Sequence, residues 1–284
     1  MSRLVMVPAV GSLLVAAALG APFDVPIDPA QSVLYFELCV AGQCATDSSA
    51  VTGTVTIELD SIDSPAQIWL YDFDLYLADN LHWYLSWGIL GNLTADATGL
   101  VVHYAYPGTP LGPAAITAGA FMFLSVPTTS EGVITYHAVG IPCFALQGAG
   151  LPCDDMMNLA DQGVQVADQF GGNIAAQNRV VTLTSQIDMT SPLDPNTPSL
   201  GTLHVWGSTL GQVYVPYPVI PGDLNCDGTV GFGDINPFVL YLADFAGWQA
   251  AYSGCPAVNG DINGDGVYPD FADISPFVAL LTGL

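Results

Sequence analysis

One stretch of this 284-residue chain is written twice. Gly222-Asp-Leu-Asn-Cys-Asp-Gly opens the first copy and Gly260-Asp-Ile-Asn-Gly-Asp-Gly the second, 38 residues further on. Each continues into Asp-Ile-x-Pro-Phe-Val, at Asp234–Val239 and Asp273–Val278. Pro at the third position of an apolar run is compatible with a helix start, because the first turn needs no internal N–H. Each copy therefore reads as a loop followed by a helix. No helix precedes the first loop, since Pro218-Val-Ile-Pro-Gly222 cannot supply one.

Asp-x-Asn-x-Asp-Gly alternates side-chain oxygens so that they converge on one cation, and the Gly allows the sharp turn between them. This is the oxygen-ligand pattern of an EF-hand loop. In the first copy Asp223, Asn225 and Asp227 offer side-chain oxygens, Thr229 its carbonyl, and Asp234 the closing carboxylate at position twelve. In the second, Asp261, Asn263, Asp265 and the Val267 carbonyl correspond. One extra residue in Tyr268-Pro-Asp270 moves the closing acid, Asp273, to position thirteen and leaves Asp270 as a competitor. Flexible all-oxygen loops suit Ca²⁺ better than Mg²⁺, which demands near-octahedral geometry and retains waters. Two Ca²⁺ ions are expected, the twelve-residue loop being the tighter site.

A duplicated loop-plus-helix over residues 219–284 resembles a type I dockerin, and the Cys at loop position four resembles the dockerin-like modules of exported planctomycete-type proteins. The resemblance implies a small all-α, Ca²⁺-dependent module that docks to a cohesin-like or other extracellular partner, often on proteins of polysaccharide breakdown. Loop positions ten and eleven are Phe232-Gly233 and Phe271-Ala272 rather than the Ser/Thr pair the resemblance leads one to expect, and the segment has no Lys or Arg. Phe238, Val239, Leu242, Phe277, Val278, Leu280 and Leu281 make its helices almost wholly apolar, enough for a small core and a partner surface.

Residues 21–218 read differently. Val51, Val55, Ile57 and Leu59 alternate with Thr52, Thr54, Thr56 and Glu58; Trp69, Tyr71, Phe73, Leu75 and Leu77 repeat the pattern, with Asp72 and Asp74 opposite. Further strands are expected at 33–40, 83–87, 100–106, 120–126, 133–139, 180–189 and 202–206. The segment 154–170 breaks the alternation and reads as a loop or short helix. Nine or ten strands punctuated by Gly, Pro, Asn and Asp point to an antiparallel β-sandwich or barrel with one wet face.

Composition sharpens this. The chain has 26 acids and 2 basic residues, a net charge of −24, and 51% hydrophobic residues. Nothing in it can neutralise phosphates, which excludes nucleic acid and anionic lipid as partners. Residues 1–20 have the form of a signal peptide: Arg3, an apolar run from Leu4 to Leu19, and Ala18-Leu-Gly20 as a small-x-small exit. The run is short for a membrane span, so a secreted or cell-surface protein is expected. Export makes the six cysteines (39 and 44, 143 and 153, 226 and 255) legible as disulfides. No CxxC spacing supports zinc. Sequence proximity suggests neighbouring pairs without fixing them.

The four histidines, at 82, 103, 137 and 204, are scattered along strands and form no HExxH or HxH arrangement. Asp72 and Asp74 have a spacing that two glycosidase carboxylates could use, as would any solvated strand face. Trp69, Trp83 and Trp87 fall on hydrophobic faces, which favours core packing over sugar stacking. The sequence thus favours a non-enzymatic exported protein whose β domain is docked by a calcium module. The alternatives are a dockerin-tethered glycoside hydrolase or carbohydrate-binding module, and a structural surface protein with a calcium-stabilised terminus.

Overall fold

The computed structural model describes residues 21–193 and 197–283; the expected signal peptide, residues 1–20, lies outside them. The chain divides into two compact units, with the break between Val213 and Tyr214.

The first unit is antiparallel β. In chain order its strands are β1 (Phe23–Ile27), β2 (Val33–Val40), β3 (Gln43–Leu59), β4 (Gln67–Leu77), β5 (Leu81–Ser86), β6 (Gly91–Tyr104), β7 (Leu111–Ala115), β8 (Ala120–Gly140), β9 (Asp154–Asn158), β10 (Gln165–Gln177), β11 (Val180–Pro192) and β12 (Gly201–Tyr214). One helix, α1 (Ile141–Gly148), follows β8. The pairing runs β3-β2-β12-β11-β10-β8-β6-β4, and β4 pairs again with β3, so eight strands close on themselves. β1, β5, β7 and β9 add to the margins of this ring. Closure leaves the ring's own strands without free edges.

The inward positions are the alternating apolar ones. Val51, Val55, Ile57 and Leu59 are each 1% exposed, and Leu34, Phe36, Leu38 and Val40 line β2 in the same way. The Phe121 ring packs 5.7 Å from that of Phe123 and 6.3 Å from that of Phe170, centroid to centroid. Trp83 is buried, and its indole donates to the Phe36 carbonyl at 2.9 Å. An interior filled by side chains is a core rather than a channel.

Several sequence expectations change here. Trp69 and Tyr71 do not share a face with Phe73. Val55 pairs with Phe73 and Thr56 with Asp72, but Ile57 pairs with Leu70, so Tyr71 is an extra residue on β4. This bulge inverts the alternation: Ile68 and Leu70 become fully buried, while Trp69 lies across from Glu58 on the other face. Glu58, expected on the wet side, is 2% exposed there, and Tyr71 donates its phenol to it at 2.5 Å. Trp87 lies past the end of β5, half-buried, its indole on the Ala41 carbonyl.

The segment 154–170 contains one short helical turn, Leu159–Gln162, but is otherwise mostly strand: β9 and the start of β10 flank that turn. Its alternation was hidden because Met156, Met157, Val164 and Val166 are apolar yet exposed. The expected strands 120–126 and 133–139 are one 21-residue strand, bent where Ser125 and Gly132 adopt positive φ. β1, β7 and α1 were not anticipated, and β6 begins at Gly91 rather than near residue 100.

All three disulfides join neighbouring cysteines: Cys39–Cys44, Cys143–Cys153 and Cys226–Cys255. The first closes the β2–β3 hairpin, where the two residues are direct cross-strand partners. Three bridges and no free cysteine among the described residues fit an extracellular, oxidising environment.

The bulge is open to test. Leu70→Ala removes a fully buried side chain and is expected to cost roughly 2–5 kcal/mol in chemical unfolding. Trp69→Ala, though it deletes more atoms, is expected to cost less. Equal alternation through β4 would give the opposite ranking.

Candidate metal centre in the C-terminal unit

The second unit carries α2 (Ile235–Ala243), α3 (Phe245–Ala251) and α4 (Ile274–Thr282). α2 and α4 are the helices expected from the repeat; α3 is additional. Leu224, Phe238, Tyr241, Trp248 and Phe277 form its core. The Phe238 and Phe277 rings, equivalent in the two repeats, meet with centroids 4.4 Å apart.

Polar contacts lock the first loop to this core. The Trp248 indole donates to the Leu224 carbonyl at 3.0 Å. The side-chain amide of Asn259, fully buried, donates to the Asp223 carbonyl at 2.7 Å, while its oxygen accepts from the Ile220 N–H at 3.0 Å. Asn259 immediately precedes the second repeat, so one side chain ties the two loop entrances together. The next residue must be glycine, because a Cβ on Gly260 would lie 2.2 Å from the Tyr241 ring. The Cys226–Cys255 bridge, Cα atoms 5.8 Å apart, runs across the same region.

The two loops are built alike. Asp223 accepts from the N–H groups of Asp227 (3.2 Å) and Gly228 (3.0 Å). Asp261 accepts from Asp265 (3.1 Å) and Gly266 (3.0 Å). Asn225 Oδ1 takes the Asp227 N–H at 2.9 Å, and Asn263 Oδ1 takes that of Asp265 at 2.8 Å. The amides of Asn225 and Asn263 donate to Asp227 and Asp265. Gly228 and Gly266, with φ of 88° and 79°, make the turn with open space around them.

Asp234 and Asp273 occupy equivalent places in the two loops. Asp234 Oδ1 accepts from the N–H of Leu224 (2.8 Å) and Asn225 (3.0 Å). Asp273 Oδ1 accepts from Ile262 (2.8 Å) and Asn263 (3.0 Å), the equivalent groups. Asp270 instead accepts from the Ala272 N–H and starts the short turn before α4. The inserted residue has one visible consequence. In the first loop Asp234 Oδ2 accepts from Gly231 N–H at 2.9 Å; in the second, Asp273 Oδ2 is buried without any partner.

Asp223, Asp234 and Asp273 are at most 1% exposed, in a unit with no Lys, Arg or His. Burial raises the carboxyl pKa of Asp223 above its usual value, outweighing the N–H of Gly228. Burial does the same to Asp273, against the N–H groups of Asn263 and Ile262. Asp227 is moved the other way, chiefly by the Thr229 hydroxyl. Buried carboxylates with no counter-charge are costly, and a cation held among their free lone pairs would offset that cost. The donor set is all oxygen, as Ca²⁺ requires. The residues therefore fit such an ion, and the orphaned Asp273 Oδ2 fits it most directly.

Elsewhere, Glu37, Cys39 and Cys44 bring three donor atoms together, but the two sulfurs are bonded to each other. The four histidines each meet an aspartate: His82 with Asp96, His103 with Asp74, His137 with Asp154 and His204 with Asp188. Asp72 and Asp74 share the outer face with His103. Burial, then the neighbouring Asp74, raises the carboxyl pKa of Asp72.

No family model matches the chain, and no curated protein matches it. Among solved structures, one that is similar is the crystal structure of Ail, the attachment invasion locus protein of Yersinia pestis, in complex with the heparin analogue sucrose octasulfate. The identity is 11%, with 66% of this chain and 97% of that chain covered, at a TM-score of 0.29. A likeness that slight bears on neither ligand nor location. No helix among the described residues is long and apolar enough to cross a membrane.

The bridge across the loop entrances should matter to stability. For a closed loop of about 30 residues the chain-entropy model gives roughly 3–4 kcal/mol. Replacing Cys226 and Cys255 together by Ser is expected to lower the stability of the second unit by that order, read by denaturant unfolding of the full chain. An unchanged midpoint would show that the bridge contributes nothing.

Proposed function

We propose that the chain is an exported calcium-binding protein in which the C-terminal unit, a dockerin-like module, holds two Ca²⁺ ions and docks the β domain to an extracellular or cell-envelope partner. The carrying observation is the matched pair of loops: two equivalent sets of Asp and Asn oxygens, each closed by a buried Asp. The ligands would be Asp223, Asn225, Asp227, Asp234 and the Thr229 carbonyl in one loop, with Asp261, Asn263, Asp265, Asp273 and the Val267 carbonyl in the other.

The docking half of the reading is supported by what the ordered repeats leave outside the core. Phe232, Ile235 and Val239 are 79%, 39% and 58% exposed. Their equivalents Phe271, Ile274 and Val278 are 76%, 40% and 51% exposed. Each set follows i, i+3, i+7 spacing, which puts three apolar side chains on one helical stripe. Isolated exposed hydrophobics are unremarkable, whereas duplicated stripes suit a protein partner. A cohesin-like partner with an apolar face meets that chemistry. A glycoside hydrolase or carbohydrate-binding β domain remains the second reading, resting on the resemblance alone.

Titration calorimetry of EGTA-stripped full chain is expected to show two Ca²⁺ equivalents of unequal affinity. Asp223→Ala should remove the tighter and Asp261→Ala the weaker. Phe232→Ser with Phe271→Ser should leave Ca²⁺ binding intact while abolishing Ca²⁺-dependent retention on the producer's cell envelope. Retention that ignores both EGTA and the double variant would reduce the module to a structural terminus.

A further inference from the structure

The two repeats of the C-terminal unit present the same helical face, and only one of the two is covered. In the first repeat Leu224 and Tyr241 are fully buried, Pro237 is buried, and Leu240 packs on the same core. α3 lies against this face. Its Trp248 ring stands perpendicular to that of Tyr241, centroids 4.9 Å apart, and Phe245 stacks on Trp248 at 5.8 Å. The Trp248 indole N–H ends on the Leu224 carbonyl.

The same positions in the second repeat are Ile262, Pro276, Ala279 and Leu280. With Pro221 and Gly283 they line an open groove of about 600 Å³. Leu280, the counterpart of buried Tyr241, is 49% exposed. Among the described residues no helix follows α4 as α3 follows α2. Ala279 and Leu280 are also smaller than Leu240 and Tyr241, which leaves room for an incoming ring.

α4 is apolar on every side. Phe277 enters the core, and Ile274 and Val278 belong to the exposed stripe. Pro276, Ala279, Leu280 and Gly283, at i, i+3, i+4 and i+7, form a third face. A helix that is apolar all round is one that is covered all round. The groove lining is uncharged, but the unit around it has eight Asp and no Lys, Arg or His. Two Ca²⁺ would offset only half of that charge, so a basic partner is favoured.

We infer that this groove on α4 docks a short helix of a partner protein, in the way α3 covers α2. An aromatic residue of that helix sits over Leu280 as Trp248 sits over Tyr241, with a second apolar ring three positions before it and basic residues on either side. Helix-in-groove recognition with an indole anchor has this form. The inference is independent of any partner of the Phe232 and Phe271 stripes.

The probe is a fluorescein-labelled, lactam-locked helical peptide of the α3 sequence, Asp244–Tyr252, flanked by lysines. Added to Ca²⁺-saturated full chain, it is expected to bind at one site, read by anisotropy, and to shift the methyl resonances of Ile262, Ala279 and Leu280. Ala279→Asp and the half-exposed Leu280→Asn should each weaken binding about tenfold or more, as should Trp248→Ala within the peptide. Circular dichroism checks that both protein variants are folded. Glutamates in place of the flanking lysines should weaken it further at low salt. Ile89→Ser, on the exposed surface of the β domain, should change nothing. A peptide that does not bind, or that ignores Ala279→Asp and Leu280→Asn, overturns the site. Shifts confined to Val239 and Val278 overturn it by placing the helix on the stripes. A full chain that dimerises unaided until Ala279→Asp is introduced overturns it too, the occupant then being a second copy.

Discussion

Burying carboxylates where no basic side chain exists is the constraint around which the C-terminal unit is organised. Asp223, Asp234 and Asp273 are buried at the ends of their loops, and among the described residues backbone N–H groups supply the hydrogen bonds their carboxylates accept. Those dipoles position the carboxylates and leave their charge uncompensated. Everything else in the unit serves the same end: Asn259 and the Cys226–Cys255 bridge pin the loop entrances, and the Leu224–Phe238–Tyr241–Trp248–Phe277 core gives the loops a rigid floor. A cation at the loops would turn the most costly feature of the unit into its main source of order.

The β domain meets the same shortage of positive charge in another way. Arg179, at the β10–β11 turn and 3.6 Å from Asp63, is the one basic residue it has besides histidines. Its four histidines each lie against an aspartate on a neighbouring strand, so they stitch β5 to β6, β4 to β6, β8 to β9, and β11 to β12. Among the described residues, only His103 meets carboxylates on both ring nitrogens. Asp273 Oδ2 is withdrawn from water without a donor, at a cost that a bound cation would relieve.

How much of this was legible in the sequence depended on how local the signal was. The calcium-type loops are contiguous, so Asp223 to Thr229 and Asp261 to Val267 could be placed by spacing alone. The closing acid of the second loop could not, because choosing Asp273 over Asp270 takes the backbone partners that Ile262 and Asn263 supply. Alternation located β2 and the buried face of β3 correctly. It failed at Tyr71, where one extra residue inverts β4, and over Met156–Val166, where apolar residues face outward. The pairing of each histidine with an aspartate, and of His103 with Glu131, is a matter of cross-strand register, which no short window of sequence records.

The central claim is that divalent calcium completes the two loops. Diffraction from crystals of the full chain grown in Ca²⁺, at a wavelength where calcium scatters anomalously, tests it most directly. The account predicts two anomalous peaks, one per loop, each about 2.3–2.6 Å from its carboxylate oxygens, with Asp273 Oδ2 among the ligands of the second. Loops that keep the same closed hydrogen-bonded form with no peak in either would contradict it.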